Sequence, residues 1–291
     1  LNETPAHPAS PDELAPAPEH ERPGERADKA AASPPAATSL DDFAAALARH
    51  SLVIPPDQIA QLDRYRQLLW EWNEKMNLTR HTDLDRFVSR DIVDSWQLAQ
   101  LLAPSETVLD FGTGGGVPGI VVAILRPDVR VAVCDSVGKK AKAVESMIGK
   151  LKLGVPVFAE RVEAVLARRR FHTLMARAVG SLSDVLRWIG PGWKSVGRLL
   201  LVKGPRWVEE RGEARHRGLM HGLALRIAAT YPMPGTDANS VILKLWRDPR
   251  GDSNRPGDDR AGSDRAGSDR AGSDRGGSDR GGSEAGDDDA D

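Results

Sequence analysis

One cysteine, Cys134, in 291 residues leaves no partner for a disulfide within the chain and excludes a Cys-rich zinc site. No uninterrupted apolar run reaches the ~18 residues that a membrane-spanning helix requires, so none is expected. Residues 1–39 lack the apolar stretch of a secretory signal. A soluble, cytoplasmic protein is the expectation. Histidines are few, seven in all, and those beyond residue 39 (His50, His81, His172, His216, His221) are scattered, with no H-x-x-x-H spacing and no Ser-His-Asp arrangement. Neither a histidine-bound metal nor an activated serine is expected.

Net charge is also nearly absent, at −2 from 40 basic and 42 acidic residues. That balance hides an asymmetry. Residues 1–39 carry seven acids and three bases, and residues 248–291 carry thirteen acids and seven arginines. The 208 residues between them therefore carry +8. A basic body favours a polyanionic partner such as nucleic acid, although charge alone leaves a merely basic enzyme open. The body is long enough for one well-buried core. The Pro/Ala/Glu-rich first tail is expected to be disordered. So is the last, which repeats Asp-Arg-Ala-Gly-Ser from Asp259. The chain thus divides into a tail (1–39), a helical extension (40–104), an α/β core (105–247) and a second tail (248–291).

In the extension, Ser39 or Asp41 can cap a helix through residue 50. Pro55-Pro56-Asp57 opens a longer one that Asn77-Leu78-Thr79 breaks, and a third runs from 83 to 102. From there strands and helices alternate. Strands are expected at 107–111, 129–135, 155–159, 173–177 and 198–203, with helices at 117–125, 139–151, 161–168, 183–189 and 207–216. This order implies a mostly parallel sheet covered on both faces. Two last strands, 223–230 and 240–246, have no helix of comparable length between them and are expected to pair antiparallel at one edge.

The most informative segment runs Val108-Leu109-Asp110-Phe111-Gly112-Thr113-Gly114-Gly115-Gly116-Val117-Pro118-Gly119. A buried strand enters four glycines and then a helix start. Glycine lets backbone approach a ligand, and the helix offers free N–H groups. Asp135 ends the next strand, where a carboxylate can accept the hydroxyl hydrogens of a ribose. Residues 114–119 fit the dinucleotide pattern G-x-G-x-x-G. Residues 112–116 fit the shorter G-x-G-x-G that follows an Asp in S-adenosylmethionine enzymes. Asp110 directly before the loop favours the second. The first would also need a substrate domain for which the body has no length left.

Four motifs then stand in order: Trp72-Asn73 with Asn77-Leu78-Thr79; Asp91-Ile92-Val93-Asp94-Ser95; Asp110 through Ile120; and Asp135-Ser136 with Gly138-Lys139-Lys140. Together they resemble the bacterial small-subunit rRNA guanine-N7 methyltransferases (RsmG, or glucose-inhibited division protein B). The resemblance covers residues 43–246. It implies a Rossmann-like methyltransferase fold with a mostly parallel seven-stranded sheet and an N-terminal helical extension. It implies S-adenosylmethionine as cofactor and N7 of a guanosine in a 16S rRNA loop near the decoding centre as target. The partner is then 16S rRNA or the small subunit, with a monomer, no metal and no membrane. By motif, Gly112, Val117 and Asp135 would contact the cofactor, Val162 and Glu163 would lie near the adenine, and Arg177 beside the reaction site. Asp110, Gly114 and Gly116 belong to the same loop. One departure is Asp91, which stands where the family usually has His, so no histidine base is available there and Asp91 receives no catalytic role.

The chemistry asks for little. Guanine N7 has an in-plane lone pair and loses no proton before attack, so no general base is needed. Alignment can contribute roughly 7–11 kcal/mol. Arg177 and Lys203 end the fourth and fifth strands on the ligand-binding edge and are the catalytic candidates, against the plainer reading of ion pairs with neighbouring acids. Arg80, Arg90, Lys139, Lys140, Lys203 and Arg206 are the RNA-binding candidates. Arg168-Arg169-Arg170 is the densest basic run, but lies in a turn that faces away from that edge. Trp207 is the one tryptophan proposed for base stacking, and Cys134 is read as a core residue.

Overall fold

The structure is a computed structural model that describes residues 38–234 and 236–248. The expectations for the tails fall on residues outside that range, apart from Thr38, Ser39 and Asp248.

Ser39 caps helix α1 (Leu40–Arg49) by accepting the Asp42 N–H at 3.1 Å, and Asp42 takes the Ser39 N–H in return at 3.0 Å. This reciprocal box satisfies two donors that a helix start leaves unpaired. Helix α2 (Pro56–Asn73) opens at proline, whose missing N–H costs nothing there. Beyond it, the Asn73 side chain accepts the N–H groups of Leu78 and Thr79 at 2.8 and 2.9 Å, folding the chain break that the sequence marked.

The third helix is not one regular helix to residue 102. It divides into α3 (Leu84–Arg86), a π-helical segment Phe87–Ile92, and α4 (Val93–Ala99). Within this stretch the Ser95 hydroxyl donates to the Asp91 carbonyl at 2.6 Å, and the Arg90 carbonyl accepts from Arg177. Side chains thus compete for carbonyls that a regular ladder would use, and such π segments recur at functional sites.

The strands fall where expected: β1 (Thr107–Phe111), β2 (Arg130–Cys134), β3 (Val157–Phe158), β4 (Phe171–Arg177), β5 (Val196–Lys203), β6 (Leu223–Pro232) and β7 (Asn239–Arg247). Between them lie α5 (Gly119–Leu125), α6 (Gly138–Leu151), α7 (Val162–Arg168), α8 (Leu182–Ile189), a 3-10 turn at Gly190–Ser195, and α9 (Trp207–His216). Among the described residues they build one seven-stranded sheet in the order β3-β2-β1-β4-β5-β7-β6. The first five strands are parallel, and β7 runs antiparallel to both β5 and β6.

Alternate side chains of each strand enter different cores, as a two-residue period requires. Val108, Val131, Val133, Met175, Leu200 and Ile242 pack with residues of α1, α2, α4, α5 and α6 on one face. Leu109, Phe111, Ala132, Leu174, Leu199 and Leu243 pack with residues of α7 and α8 on the other. The apolar strand sequences, buried on both faces, fit a parallel sheet between two helical layers.

Candidate functional site

The sequential order of the parallel strands reverses between β1 and β4, which lie side by side. Ligands of such sheets bind outside the carboxyl ends at that switch point. Here β1 leaves into the glycine loop, and β4 ends in Arg177 and Ala178.

Buried carboxylates shape the loop. Asp110, at the end of β1, is fully buried and accepts the Thr113 hydroxyl at 2.5 Å and the Gly119 N–H at 2.8 Å, both on Oδ2. Burial pushes its pKa up to about 7, against the lowering effect of those two bonds. Its Oδ1 has no partner. Asp135 accepts the Gly114 N–H at 2.9 Å and the Val137 N–H at 2.8 Å, one on each oxygen. Each carboxylate oxygen keeps a second lone pair for a ligand hydroxyl. On the other side of the loop, the buried Tyr65 hydroxyl of α2 donates to the Gly115 carbonyl at 2.9 Å.

Two glycines are required for different reasons. Gly112 has φ +65°, and a Cβ there would stand 2.5 Å from Val179 Cγ1. Gly114 has φ +59°, yet a Cβ there would meet nothing within 4 Å. Gly114 itself lines the crevice.

The crevice has two lobes that share Gly112. One, of about 350 Å³, is lined by Phe111, Cys134, Val162, Glu163, Val179 and Trp188, among others. These apolar groups share the wall with Ser136, Glu160 and Arg161, a mixture that suits a flat ring with polar edges. The other, of about 220 Å³, is lined by Gly114, Val117, Asp135, Lys140, Asp91 and Arg177, among others. Its walls are polar and charged. Burial raises the Cys134 thiol to about 12, so it stays protonated in the wall of the first lobe.

The Arg177 side of the second lobe is a charge cluster. The guanidinium meets Asp91 Oδ1 at 2.5 Å, Asp94 Oδ2 at 3.3 Å and the Arg90 carbonyl at 3.0 Å. Asp91 and Asp94 are fully buried. Burial opposes the Arg177 charge, but the two carboxylates outweigh it and the pKa is raised. The Tyr231 hydroxyl donates to Asp94 at 2.7 Å, and His81 Nδ1 donates to Asp91 at 2.8 Å. Burial raises Asp94 despite Arg177 and Tyr231. Next to Arg177, Ala178 is held at φ +54°, an unfavourable conformation for a side chain with a Cβ.

The sequence candidates fare unequally. Gly112, Gly114, Val117, Asp135, Val162, Glu163 and Arg177 are brought together in the crevice. Asp110 is corrected: it lies beneath the loop and holds it, without lining either lobe. Gly116 likewise turns over Ile120 and lines neither. The free N–H groups expected at the start of α5 are partly spent, since Gly119 bonds Asp110 and Ile120 bonds the Gly116 carbonyl. Lys203 is also corrected. Its ammonium is held by Glu210 at 2.7 Å and the Gly180 carbonyl at 2.6 Å, with its side chain only 9% exposed. The plainer ion-pair reading is what the geometry shows there. Arg206 is exposed and pairs with Glu209 at 3.2 Å, while Arg80 and Lys139 are exposed. Arg90 is partly buried beside the Arg177 cluster, and Lys140 lines the polar lobe. Trp207 packs against the second core. Asp91, Tyr65 and Tyr231 were missed as site residues. Only the spacing of Asp91 and Asp94, three residues apart on one helical face, could have hinted at a shared cation.

The family model described as rRNA small subunit methyltransferase G matches residues 58–230. A protein of Rhodopirellula baltica named ribosomal RNA small subunit methyltransferase G is 49% identical over 217 residues, 75% of this chain and 92% of that one. The chain belongs to the rRNA small subunit methyltransferase G family. A member from Chromobacterium violaceum is 34% identical over 202 residues, 68% of this chain and 93% of that one. Among solved structures, an rRNA methylase from Streptococcus thermophilus matches with a TM-score of 0.40 at 16% identity, over 55% of this chain and 97% of that one. Membership in this methyltransferase family sets aside the dinucleotide reading of residues 114–119. The third glycine of that pattern, Gly119, instead serves Asp110, and a Cβ on it would stand 2.4 Å from Val133 Cγ1.

Proposed function

We propose that this chain transfers the methyl group of S-adenosylmethionine to N7 of a guanosine in 16S rRNA, working in the cytoplasm on the RNA or on the small subunit. Family membership supports the reaction. The observation that carries the N7 reading is the polar lobe, whose two carboxylates, Asp91 and Asp135, both accept hydrogen bonds from the chain itself. Both carboxylates of that lobe are engaged, and a ring nitrogen with a free lone pair needs no base.

The residues fit the cofactor. Gly112, Gly114 and Val117 line the crevice, and Phe111, Val162, Val179 and Trp188 gather in one lobe while Asp135, Lys140 and Arg177 gather in the other. Phe111, Val162, Glu163, Val179 and Trp188 would hold the adenine, Asp135 the ribose, and the loop backbone from Gly112 to Val117 the remainder. When bound, S-adenosylmethionine supplies an activated methyl group on a sulfonium. Asp110 and Tyr65 hold the loop rigid from its two sides, so alignment is set before substrate arrives. Arg177, fixed by Asp91 and Asp94, orders the opposite wall. Its charge is neutralised by those partners, which suits a site where positive charge moves from donor to purine. Arg80, Lys139, Lys140 and Arg206 remain candidates for phosphate contact.

The test is to incubate the purified chain with the methyl donor and either 16S rRNA or small subunits, then map N7-methylguanosine by chemical cleavage. One strong position in at least one substrate is expected. No methylated position in either would overturn the reading.

A further inference from the structure

The amino ends of the same strands frame a second groove, of about 770 Å³. Its floor is apolar, and Phe158 and Phe171 line it. Four cations also line it: Arg130, Lys152, Arg169 and Arg170. No acidic residue does. Arg168, the first member of the triple-arginine run, turns away to pair with Glu160, while Arg169 lays its guanidinium over the Phe158 ring at 4.8 Å from the centroid. Lys152, Arg169 and Arg170 are exposed. Strand β4 links the two edges, from Phe171 in this groove to Arg177 in the crevice, a span of about 20 Å.

We propose that this groove is a second RNA-binding surface, which grips the phosphate backbone of the substrate on the edge opposite the crevice. The proposal rests on the rRNA methyltransferase reading and deepens it. A surface whose charged lining residues are all cationic, that carries half-buried aromatic rings and that offers an arginine stacked on one of them has the composition that single-stranded or looped RNA recognises. A cluster of like charges with no carboxylate in its lining gains from a polyanion, because counterions leave when phosphates replace them. The substrate is itself the polyanion at hand, and holding it at two edges would present a folded RNA rather than a lone nucleotide.

The test compares the full chain with a variant carrying Lys152→Gln, Arg169→Gln and Arg170→Gln, and with a control in which the exposed Arg64, Lys194 and Arg226 are changed to Gln. KM and kcat for 16S rRNA or the small subunit, the affinity for S-adenosylmethionine and the salt dependence of RNA binding are measured for each. The groove variant is expected to raise KM at least tenfold. The slope of log affinity against log salt should fall by about two. Its kcat, donor affinity and melting temperature should stay near those of the control. A groove variant indistinguishable from the control overturns the proposal. A rise in RNA affinity in the groove variant would also overturn it, and would assign the groove to the acidic residues 249–291. If the unaltered chain methylates no RNA at all, the functional reading fails instead, which separates the two failures.

Discussion

The two sides of the crevice satisfy their buried carboxylates in opposite ways. On the loop side, Asp110 and Asp135 accept from a hydroxyl and from backbone N–H groups no more than 21 residues away. On the β4 side, Asp91 and Asp94 meet a guanidinium from Arg177 and a phenol from Tyr231, 83 to 137 residues distant. The first arrangement is local and uses no counter-charge, so it forms wherever the strand and loop form. The second takes one nearby donor, His81 on Asp91, but its Arg177 and Tyr231 bonds exist only when the π segment, α4, β4 and β6 have been brought together. One side therefore reports on the loop, and the other on the whole fold.

The sharpest way to break that contrast is Arg177→Ala. It leaves Asp91 and Asp94 buried without their cation, which typically costs about 3–5 kcal/mol. Denaturant unfolding should show that loss, together with loss of methyl transfer. Arg177→Lys should recover little, because one ammonium cannot span two carboxylates and a carbonyl. A stability within about 1 kcal/mol of the unaltered chain would mean that the cluster is ornamental.

The same contrast explains what could be read in the chain before folding. The loop side was legible because its signals are contiguous: Asp110, the glycines and Asp135 lie within 26 residues. The strands were legible because each is an apolar run between turn residues. The β4 cluster was not legible, since nothing local ties Asp91 to Arg177 or Asp94 to Tyr231. The π segment at Phe87–Ile92 was hidden for the same reason, because its deviation serves partners that periodicity does not see. The ion pair of Lys203 was hidden because its position at a strand end is visible in sequence, while Glu210, one helical turn into α9, becomes its neighbour only after the chain turns. His81 was one of the scattered histidines with no metal role expected, and the structure gives it a partner, Asp91.

A second experiment sharpens the loop side. Asp110 has its pKa raised to about 7 when folded, against 3.8 as its ordinary value. Between those values the folded chain keeps a proton that the unfolded chain releases, so stability falls as pH rises through this window and levels off above it. Asp110→Asn removes the titration while keeping an acceptor for Thr113 and Gly119. The unaltered chain should therefore gain on the order of 3 kcal/mol relative to the Asn variant on going from pH 8 to pH 5. Parallel stability curves for the two would show that Asp110 is ionised throughout.

Gly114→Ala separates the loop's conformation from its packing. The new Cβ meets no atom, so only the left-handed backbone is penalised, by about 1–2 kcal/mol. Gly114 nevertheless lines the crevice, so the methyl group is added at its wall. Calorimetric affinity for S-adenosylmethionine should drop by tenfold or more, a larger effect than the stability change alone implies. Unchanged donor affinity would move the cofactor away from Gly114.

Lys203 offers the smallest and most discriminating effect, because it is a third way of holding charge: one cation shared by a carboxylate and a carbonyl. Lys203→Met keeps the stem and removes the ammonium. Glu210 would still accept the Leu182 N–H at 2.8 Å, so it is not left wholly unpaired. The expected loss is therefore only about 1–2 kcal/mol, seen as a lower unfolding midpoint. If Lys203 only ties β5 to α9, KM for rRNA and its salt slope should match the unaltered chain. If the ammonium instead leaves Glu210 to meet a phosphate, the slope should fall by about one and KM should rise, even where stability is restored by lower temperature. The closeness of Glu210 and of the Gly180 carbonyl, with the side chain nearly enclosed, makes the first outcome the one expected.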